Sequence, residues 1–292
     1  MALAQKTGGL DIRPSGGAIG AELYGVDLRT PLSDAAFAAI EATFHAHGVL
    51  CIRDQDLTED QYLAFVRRFG PVKQLFLENY AKPGWPDILL VSNIQENGRN
   101  IGHADAGRVW HTDMSYLERP ARVTLLHAKE VPVADDGTVL GDTLFASAAA
   151  AYESLDAPMR ARLDGLQVVH HLLGRRAKTK TGQPEDDAKR AAMPDILHPF
   201  VRTHAYTGRK CLYVCEGECV GVEGMPQDEA LDLIAAMAQR IVRPEYQYRH
   251  KWRVGDVLLW DNCAVQHLAL ADYALPQRRL MWRSTVEGER PV

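Results

Sequence analysis

The sequence predicts a mainly β protein with flanking helices, a fold of the α+β class. Short stretches rich in β-branched and aromatic residues recur along the chain, and they do not alternate with helices as βαβ units would. Of the 292 residues, 46% are hydrophobic and 24% are charged, which supplies enough apolar material for a sizeable core. No internal repeat or Ser/Gly linker divides the chain, so residues 1–292 are expected to form a single domain.

The first 72 residues are expected to form a module of helices and strands that packs on the β core. The stretch "SDAAFAAIEATFHAHG" (33–48) begins with capping residues, has apolar residues at helical spacing and ends at Gly48. "TEDQYLAFVRRFG" (58–70) has the same features and ends at Gly70. Between these two predicted helices, "VLCIRD" (49–54) is typical of a buried strand.

The remainder of the chain is predicted to be rich in strands, with two helical regions. Strands are predicted at 87–94, 122–131, 210–214, 246–252, 256–262 and 278–288. Residues 147–166 indicate a helix with a break near Pro158, and residues 226–242 indicate an amphipathic helix. The long polar segment 173–195 is expected to be a surface excursion.

Charge and composition exclude several classes of function. The net charge of −5 lacks the basic footprint of a nucleic-acid-binding protein, and no apolar run is long enough to span a membrane. The five cysteines, an odd number without a signal peptide, favour reduced thiols in the cytoplasm. Cys211, Cys215 and Cys219 lack a fourth ligand at zinc spacing, so packing explains them better than a metal does.

The stretch "RVWHTDMSYLERP" (108–120) contains the first candidate functional residues. If it is extended, His111 and Asp113 point to one face of the strand and Thr112 points to the other. An imidazole nitrogen and a carboxylate oxygen together suit a first-row metal such as iron. His-x-Asp alone is weak evidence, because the pattern occurs by chance in many chains.

A third metal ligand is available in "LLWDNCAVQHLALADY", where His267 follows an apolar run and a turn-prone Asp-Asn pair. On a neighbouring strand or loop, His267 would complete a facial triad of two histidines and one carboxylate with open metal positions. Arg279 and Arg283 follow it in "RRLMWRSTV", four residues apart and therefore on one face of a strand, with Arg278 on the other. Two inward-facing arginines require an anionic partner, and an organic dianion would supply it.

These motifs together resemble the taurine/2,4-dichlorophenoxyacetate dioxygenase (TauD/TfdA) family of non-haem Fe(II)/2-oxoglutarate-dependent oxygenases. The resemblance covers nearly the whole chain. The matching segments are "GAELYGVDL" (20–28), "RRFGPV" (67–72), "WHTD" (110–113), "GDT" (141–143), "HPFVRTHAYTGRKCLYV" (198–214), "WDNCAVQH" (260–267) and "ADYALPQRRLMWRSTVEG" (271–288).

The resemblance implies a double-stranded β-helix, also called a jelly roll, and an enzyme that uses Fe(II), 2-oxoglutarate and O2. It implies that His111, Asp113 and His267 ligate iron, and that Arg279 and Thr143 hold the distal carboxylate of 2-oxoglutarate. Arg283 is expected to bind the anionic head of the substrate or to lie near the co-substrate. The implied reaction hydroxylates a C–H bond of a small organic anion and converts 2-oxoglutarate to succinate and CO2. The carboxylate at Asp113 favours hydroxylation, since halogenating relatives replace it.

The chain departs from the family pattern at two places. The longer "VPVADDGTVLGDT" replaces a tight turn before Thr143, and Leu75 and Phe76 stand where taurine enzymes have a histidine and a tyrosine. The second departure argues against taurine and for a larger or more apolar anion. The side chains expected to line the substrate pocket are Leu75, Phe76, Asn93 and Tyr116.

The loops 73–82, 95–108 and 173–195 are expected to set the substrate specificity. "ENGRNIGHADAGR" (96–108) is either a lid with hinges at Gly98, Gly102 and Gly107 or an ordinary surface loop. The resemblance also favours a homo-oligomer, a dimer or a tetramer. Two other functions stay open on the residues alone. One is a non-catalytic jelly roll that binds a small molecule, and the other is a zinc hydrolase that uses the same three ligands.

Overall fold

A computed structural model of the chain describes residues 5–7, 10–73, 78–172, 174 and 194–292. Its strands are β1 (Gln5–Thr7), β2 (Leu10–Pro14), β3 (Ala21–Tyr24), β4 (Val49–Ile52), β5 (Ala81–Lys82), β6 (Trp85–Ser92), β7 (Gln95–Glu96), β8 (Arg99–Asn100), β9 (Ala121–Glu130), β10 (Thr143–Ser147), β11 (Gln167–His170), β12 (Ile196–Pro199), β13 (Val201–Thr203), β14 (Lys210–Leu212), β15 (Cys219–Val222), β16 (Gln247–His250), β17 (Val257–Asp261), β18 (Val265–Ala269) and β19 (Leu280–Glu287). Its α-helices are α1 (Asp34–His47), α2 (Glu59–Val66), α3 (Ala148–Glu153), α4 (Ala157–Leu163) and α5 (Gln227–Ile241), and short 3-10 turns span Arg67–Phe69, Glu78–Tyr80 and Pro244–Tyr246.

Two facing sheets form the jelly roll. The larger sheet has the strand order β1-β2-β3-β4-β17-β9-β19-β6-β5, and the smaller has the order β16-β10-β18. Pairing is antiparallel in both sheets, except between β3 and β4. One buried cluster draws side chains from both sheets, among them Leu126, Phe145, Leu258 and Met281. The double-stranded β-helix expected from the family resemblance is confirmed.

Helices α1 and α2 cover the larger sheet on its other side, and both begin at the caps that the sequence predicts. The Ser33 hydroxyl accepts from the Ala36 amide at the start of α1, and Gly48 ends this helix with a φ of 68°. Thr58 and Gln61 form a reciprocal capping box at the start of α2. The core between the helices and the sheet joins Ile40 of α1 to Val123 and Leu259 of the later strands. The described residues of the N-terminal part, 5–7 and 10–72, therefore share both a sheet and a core with the rest of the molecule.

A second group of elements lies beside the smaller sheet. Helices α3 and α5 pack with the strands β11, β14 and β15 around a separate apolar cluster that includes Leu163, Phe200 and Ile234. This cluster also contains Cys211, Cys215 and Cys219 as free, buried cysteines. The packing interpretation of these three residues is thus supported.

Most of the predicted elements lie within a few residues of the observed ones. The predicted helix 147–166 is divided into α3 and α4, because Asp156 begins a new helix by accepting from the Met159 amide. Strands β10 and β18 were not predicted, although they carry Thr143 and His267. The predicted excursion 173–195 lies almost entirely outside the described residues. Within the described part of the chain, no helix has the length and apolar character needed to cross a membrane.

Candidate metal centre and anion pocket

The three predicted metal ligands come together between the two sheets. His111 and His267 form an isolated antiparallel bridge, with N–O distances of 3.2 and 2.8 Å, and their ring centroids are 4.0 Å apart. Asp113 Oδ1 lies 3.5 Å from His111 Nε2 and 3.9 Å from His267 Nε2. All three side chains are buried. One donor atom from each therefore faces the same small volume, within 4.8 Å of the others.

The extended conformation assumed for "VWHTDMSY" (109–116), from which the shared face of His111 and Asp113 was argued, is not observed. Only His111 pairs with a neighbouring strand, and the chain turns at Asp113, with Met114 in the left-handed region at a φ of 59°. The Leu117 amide donates to the Met114 carbonyl across this turn. Simple strand alternation therefore does not orient the Asp113 carboxylate. The Thr112 hydroxyl donates to the Asn262 carbonyl at 2.8 Å.

Electrostatics keep Asp113 ionised. Burial by itself would raise the pKa of Asp113, but the positive charge of Arg283 outweighs burial and holds this pKa well below its ordinary value. Arg283 Nη2 lies 2.6 Å from Asp113 Oδ1. The Thr124 hydroxyl donates to the other carboxylate oxygen, Oδ2, at 2.7 Å. Asp113 thus presents a charged oxygen toward the two histidines.

The hydrogen bonds of His111 fit metal ligation. His111 Nδ1 lies 2.8 Å from the Val109 carbonyl, which can only accept, so Nδ1 carries the hydrogen. The lone pair of Nε2 is then directed toward Asp113 Oδ1. A ligating histidine typically donates its second ring N–H to a carbonyl or carboxylate in this way. Two imidazoles with one carboxylate are the donor set of non-haem Fe(II) oxygenases.

A second His-His-Asp group has the opposite hydrogen-bond pattern. We call His45, His204 and Asp261 the Asp261 triad; its donor atoms also lie within 4.8 Å of one another and are buried. His45 Nδ1 and His204 Nε2 both bond to Asp261 Oδ2, at 3.0 and 2.8 Å.

In each triad histidine, the ring nitrogen that points away from Asp261 faces a group that can only donate a hydrogen bond. Arg122 Nη2 lies 3.2 Å from His45 Nε2, and the Thr207 amide donates to His204 Nδ1 at 3.1 Å. The ring nitrogens that face Asp261 must therefore carry hydrogens and have no lone pair for a metal.

A third group, Cys51, His250 and Asp256, is also a poor cation site. Burial raises the pKa of the Cys51 thiol well above its ordinary value, so the thiol stays protonated. Asp256 Oδ2, the oxygen that faces His250, already accepts from two obligate donors, Arg53 Nη1 at 2.6 Å and the Arg253 amide at 2.8 Å. Of the three groups that the described residues bring together, His111, Asp113 and His267 suit a metal best.

A buried cation beside the metal centre fits an organic anion. Arg279 is 3% exposed, and no carboxylate of the described residues pairs with it. Burial lowers the pKa of Arg279, yet a guanidinium keeps its charge at neutral pH. Its carbon Cζ lies 5.8 Å from the ring centroid of Trp252, and Trp252 Nε1 donates to the Thr143 hydroxyl at 3.0 Å. A hydroxyl and an uncompensated guanidinium on either side of one indole suit a carboxylate.

The strand that carries the arginines is irregular at its start. Arg279 precedes β19, and the pairing with β9 shifts between Leu280 and Met281. Trp282 packs in the core on the helix side of the larger sheet, whereas Met281 packs in the core between the two sheets. Arg283 points into the space between the sheets, toward Asp113. Arg278 is exposed and pairs with Glu130, as the sequence predicts for the opposite face.

The residues expected to line the substrate pocket have different surroundings. Asn93 Oδ1 accepts from the Arg279 amide at 2.9 Å, and Asn93 Nδ2 donates to the Gln277 carbonyl at 2.8 Å. Both polar atoms of Asn93 thus hold the backbone that leads into β19. Tyr116 is half-buried, and Leu75 and Phe76 lie outside the described residues.

The glycines of the predicted lid differ in how tightly they are held. Asn97 and Gly98 have positive φ values of 51° and 73° and form the tight turn between β7 and β8. Gly102 lies against the Leu90 backbone, where an added Cβ would approach the carbonyl oxygen to 2.6 Å. This close contact favours a fixed position for Gly102 over a hinge.

Sequence reasoning missed the partners that orient the site. Asn262 and Trp252 hydrogen-bond to Asp113 and Thr143 across more than 100 residues, and Thr124 hydrogen-bonds to Asp113 from strand β9, 11 residues further along the chain. Asn262 lies in the "WDN" motif that the sequence analysis identified, so its position could have indicated a role. Thr124 lies in β9, where no sequence motif indicated one. Arg108 was also missed; its guanidinium and that of Arg279 lie 5.8 and 5.9 Å from the ring centroid of Tyr273.

Two histidines and an aspartate with converging donor atoms, and a buried arginine without a carboxylate partner among the described residues, inside a jelly roll indicate a class of metal-dependent enzyme that binds an organic anion. Comparison with known proteins identifies the family. The profile of the "Taurine catabolism dioxygenase TauD, TfdA family" matches residues 11–285, and the chain belongs to this family.

Individual relatives align with this chain over nearly their full length. The chain is 34% identical to the alpha-ketoglutarate-dependent 2,4-dichlorophenoxyacetate dioxygenase of Cupriavidus pinatubonensis, with 91% of this chain and 94% of the relative covered. It is 32% identical to the alpha-ketoglutarate-dependent sulfate ester dioxygenase of Pseudomonas putida, with 97% and 91% covered. The crystal structure of AAD-2 in complex with Mn(II) and N-oxalylglycine is similar at a TM-score of 0.79, with 28% identity and with 97% and 98% of the two chains covered.

The chain is therefore an Fe(II)- and 2-oxoglutarate-dependent dioxygenase, an oxidoreductase that consumes O2. This result decides against the two other functions that the residues alone left open, the non-catalytic binding protein and the zinc hydrolase.

Proposed function

We propose that His111, Asp113 and His267 hold the Fe(II) ion, and that the enzyme hydroxylates a C–H bond of a small organic anion with an apolar body. The observation that carries this proposal is the convergence of the three buried donor atoms within 4.8 Å, with the His111 lone pair directed at the shared volume. Bound iron supplies the activation of O2 that is coupled to decarboxylation of 2-oxoglutarate to succinate and CO2.

The proposed co-substrate residues are Arg279 and Thr143. The guanidinium of Arg279 provides charge and a planar donor fork for the distal carboxylate of 2-oxoglutarate. Thr143 Oγ1 accepts from Trp252, so its own hydrogen is directed away from the indole and can be donated to that carboxylate. Both residues are buried, which excludes water and strengthens each of these contacts.

The proposed anchor for the substrate is Arg283. Its side chain is 13% exposed, more than the 4% of its partner Asp113, so it is the less buried member of this pair. Its contact with Asp113 Oδ1 places a positive charge beside the metal ligands. An anionic head held by this guanidinium would bring the adjacent C–H bonds of the substrate close to the metal.

The proposed substrate class is a carboxylate, sulfonate or sulfate ester that is larger or more apolar than taurine. Two relatives are named for 2,4-dichlorophenoxyacetate and for sulfate esters, and Leu75 and Phe76 replace the polar pair of taurine enzymes in the sequence. Apolar side chains at a pocket wall favour an apolar substrate body.

A succinate-release assay with Fe(II), 2-oxoglutarate and O2 tests this proposal. The panel contains 2,4-dichlorophenoxyacetate, a medium-chain alkyl sulfate, an alkylsulfonate, taurine and an uncharged ether. We expect release to depend on an apolar anion and to be weaker with taurine. Equal release with the uncharged ether would contradict the role of Arg283, and release highest with taurine would contradict the substrate class.

We also propose that residues 1–292 form one domain, in which residues 1–72 pack on the jelly roll, and that the enzyme is a cytoplasmic homo-oligomer. The shared sheet and core support the first part, and the five free cysteines support a reducing compartment. The assembly is a prediction from the family resemblance. Light scattering on the purified protein measures it, and a monomer would contradict it.

A further inference from the structure

The side chain of Asn262 has hydrogen bonds on both of its polar atoms at the metal centre. Asn262 Oδ1 accepts from the Asp113 amide at 3.2 Å and from Trp260 Nε1 at 3.1 Å. Asn262 Nδ2 donates to Thr124 Oγ1 at 3.0 Å. The residue is 1% exposed and follows directly after strand β17. It therefore contacts the ligand-bearing turn at Asp113 and the strand behind it at once.

The donor and acceptor groups themselves determine the direction of each hydrogen bond between Asn262, Thr124 and Asp113. An amide NH2 group can only donate, so Thr124 Oγ1 accepts from Asn262. An ionised carboxylate can only accept, so the Thr124 hydroxyl hydrogen is donated to Asp113 Oδ2. The Thr285 hydroxyl, 3.4 Å from Thr124 Oγ1, can then act only as a donor to it. Asn262 thereby sets the hydrogen position of Thr124.

This chain of bonds decides which Asp113 oxygen faces the histidines. Oδ2 is held by Thr124, and Oδ1 is the oxygen that lies 3.5 and 3.9 Å from the two Nε2 atoms. The Asp113 amide donates to the same Asn262 side chain, so Asn262 contacts the Asp113 backbone directly and the carboxylate oxygen Oδ2 through Thr124, while Arg283 contacts Oδ1. Because the turn leaves Asp113 outside any strand, no sheet pairing performs this task.

We propose that Asn262 is the positioning residue of the metal centre and acts on Asp113 through Thr124. The proposal rests on the proposed function, in which Asp113 is a metal ligand. Asn262 would lie outside the ligand set. Through Thr124 it holds Oδ2, which leaves Oδ1 facing the two histidines and Arg283. Partners of this kind, which hold a ligand without binding the metal, typically contribute about 10- to 100-fold to metal affinity.

A double-mutant cycle on Mn(II) affinity tests the proposal, with the full chain and without substrate or turnover. We expect Asn262→Ala and Thr124→Val each to raise the Kd for Mn(II) by about 10-fold or more. Since both act through the same contact to Asp113, the double variant should bind Mn(II) nearly as well as the weaker-binding single variant does. Thr124→Ser, which keeps the hydroxyl, should restore most of the affinity.

Thr112→Val is the matched control. It removes a buried hydroxyl that bonds to the Asn262 backbone carbonyl and leaves the Asn262 side chain untouched. Its Kd for Mn(II) should stay close to the wild-type value. Circular dichroism and thermal unfolding show whether each variant is folded; should Asn262→Ala fail to fold, Thr124→Val and Thr124→Ser provide the comparison.

Three results would overturn the proposal. They are an unchanged Kd in Thr124→Val, no difference between Thr124→Val and Thr124→Ser, and penalties in the single variants that simply multiply in the double variant. Asp113→Ala separates this failure from failure of the proposed function. If Asp113→Ala also binds Mn(II) normally, the ligand assignment is wrong; if only the Asn262 and Thr124 variants bind normally, the positioning role is wrong.

Discussion

The metal centre and the Asp261 triad contain the same three residue types in two neighbouring parts of the molecule. Each brings two histidines and an aspartate together in the interior, with donor atoms within 4.8 Å. In the Asp261 triad, Arg122 and the Thr207 amide donate to the outer ring nitrogens, so both inner nitrogens donate to Asp261. At the metal centre, the Val109 carbonyl takes the outer hydrogen of His111, and the inner nitrogen keeps its lone pair.

The difference shows that proximity of ligand-type side chains does not by itself define a metal site. The atoms behind each histidine determine its tautomer, and the tautomer determines whether a lone pair or a hydrogen faces the carboxylate. The same three residue types thus form the proposed metal centre in one place and a closed hydrogen-bond network in the other. The Asp261 triad then serves stability: it joins helix α1 through His45 and the segment after β13 through His204 to the end of β17.

The largest expected effect comes from removing the metal-binding carboxylate. Asp113→Ala should lower succinate formation by more than about 100-fold, because partners outside the ligand set alone contribute up to that amount. The variant should keep the circular dichroism spectrum of the wild type. A folded Asp113→Ala enzyme with full activity would show that the ligand assignment is wrong.

The next effect concerns the buried cation beside the centre. Arg279→Met should weaken 2-oxoglutarate binding by about 2 kcal/mol or more, or about 30-fold in Kd, because a buried charge contact is lost. Arg278→Met is the matched control: it removes an equal charge from the adjacent residue, whose partner Glu130 is on the surface.

Titration of the Mn(II)-loaded protein with N-oxalylglycine measures both affinities. A similar loss of affinity in both variants would point to a general charge effect and against a specific pocket at Arg279.

A smaller effect is expected when the Asp261 triad is broken. His45→Ala removes one of the two histidine bonds to the buried Asp261 carboxylate and should lower the free energy of unfolding by about 1 to 3 kcal/mol. The folded enzyme should retain its rate of succinate formation. Denaturant unfolding and the succinate assay together check this prediction. Loss of activity without loss of stability would assign the triad to the reaction.

The mildest perturbation is a change of pH, which acts on buried histidines that have no carboxylate partner among the described residues. Burial lowers the pKa of His127 to about 4, that of His170 to about 3 and that of His198 to about 4. Unfolding returns each to an ordinary value near ~6.5, so below that pH the unfolded chain binds more protons.

The contribution of these three histidines to the free energy of unfolding should therefore be constant above about pH 6.5. It should fall as the pH drops from there toward about 4. Each histidine contributes up to about 1.4 kcal/mol per pH unit in this window. Denaturant unfolding between pH 7 and about pH 4.5 measures the slope. Stability that rises over this range would contradict the assignment of these histidines as neutral.

The sequence was informative where the chemistry is carried by residue type and spacing. His111, Asp113 and His267 were predicted as ligands before any contact was known, and the structure brings them together. Capped helices such as α1 and α2 were also predictable, since their start and stop signals are local. The strands with continuous apolar runs, β9 and β17, were found for the same reason.

Features that depend on tertiary contacts were not predictable in the same way. The turn at Asp113 replaces the expected strand because Asn262, 149 residues away, holds the Asp113 amide. The role of Trp252 depends on a bond to Thr143 across 109 residues. His45 and His204 look like candidate ligands from residue type alone, and only their outer partners exclude them.

Mn(II) binding to two matched variants tests the central claim most directly. His267→Gln and His204→Gln make the same substitution in the two His-His-Asp groups. Glutamine can still donate to Asp261 in place of His204 Nε2, but its amide is a poor substitute for the imidazole lone pair at the metal centre. We expect the wild type and His204→Gln to bind one Mn(II) per chain with similar affinity, and His267→Gln to lose this binding. Binding that survives in His267→Gln and is lost in His204→Gln would place the metal in the Asp261 triad and contradict the account.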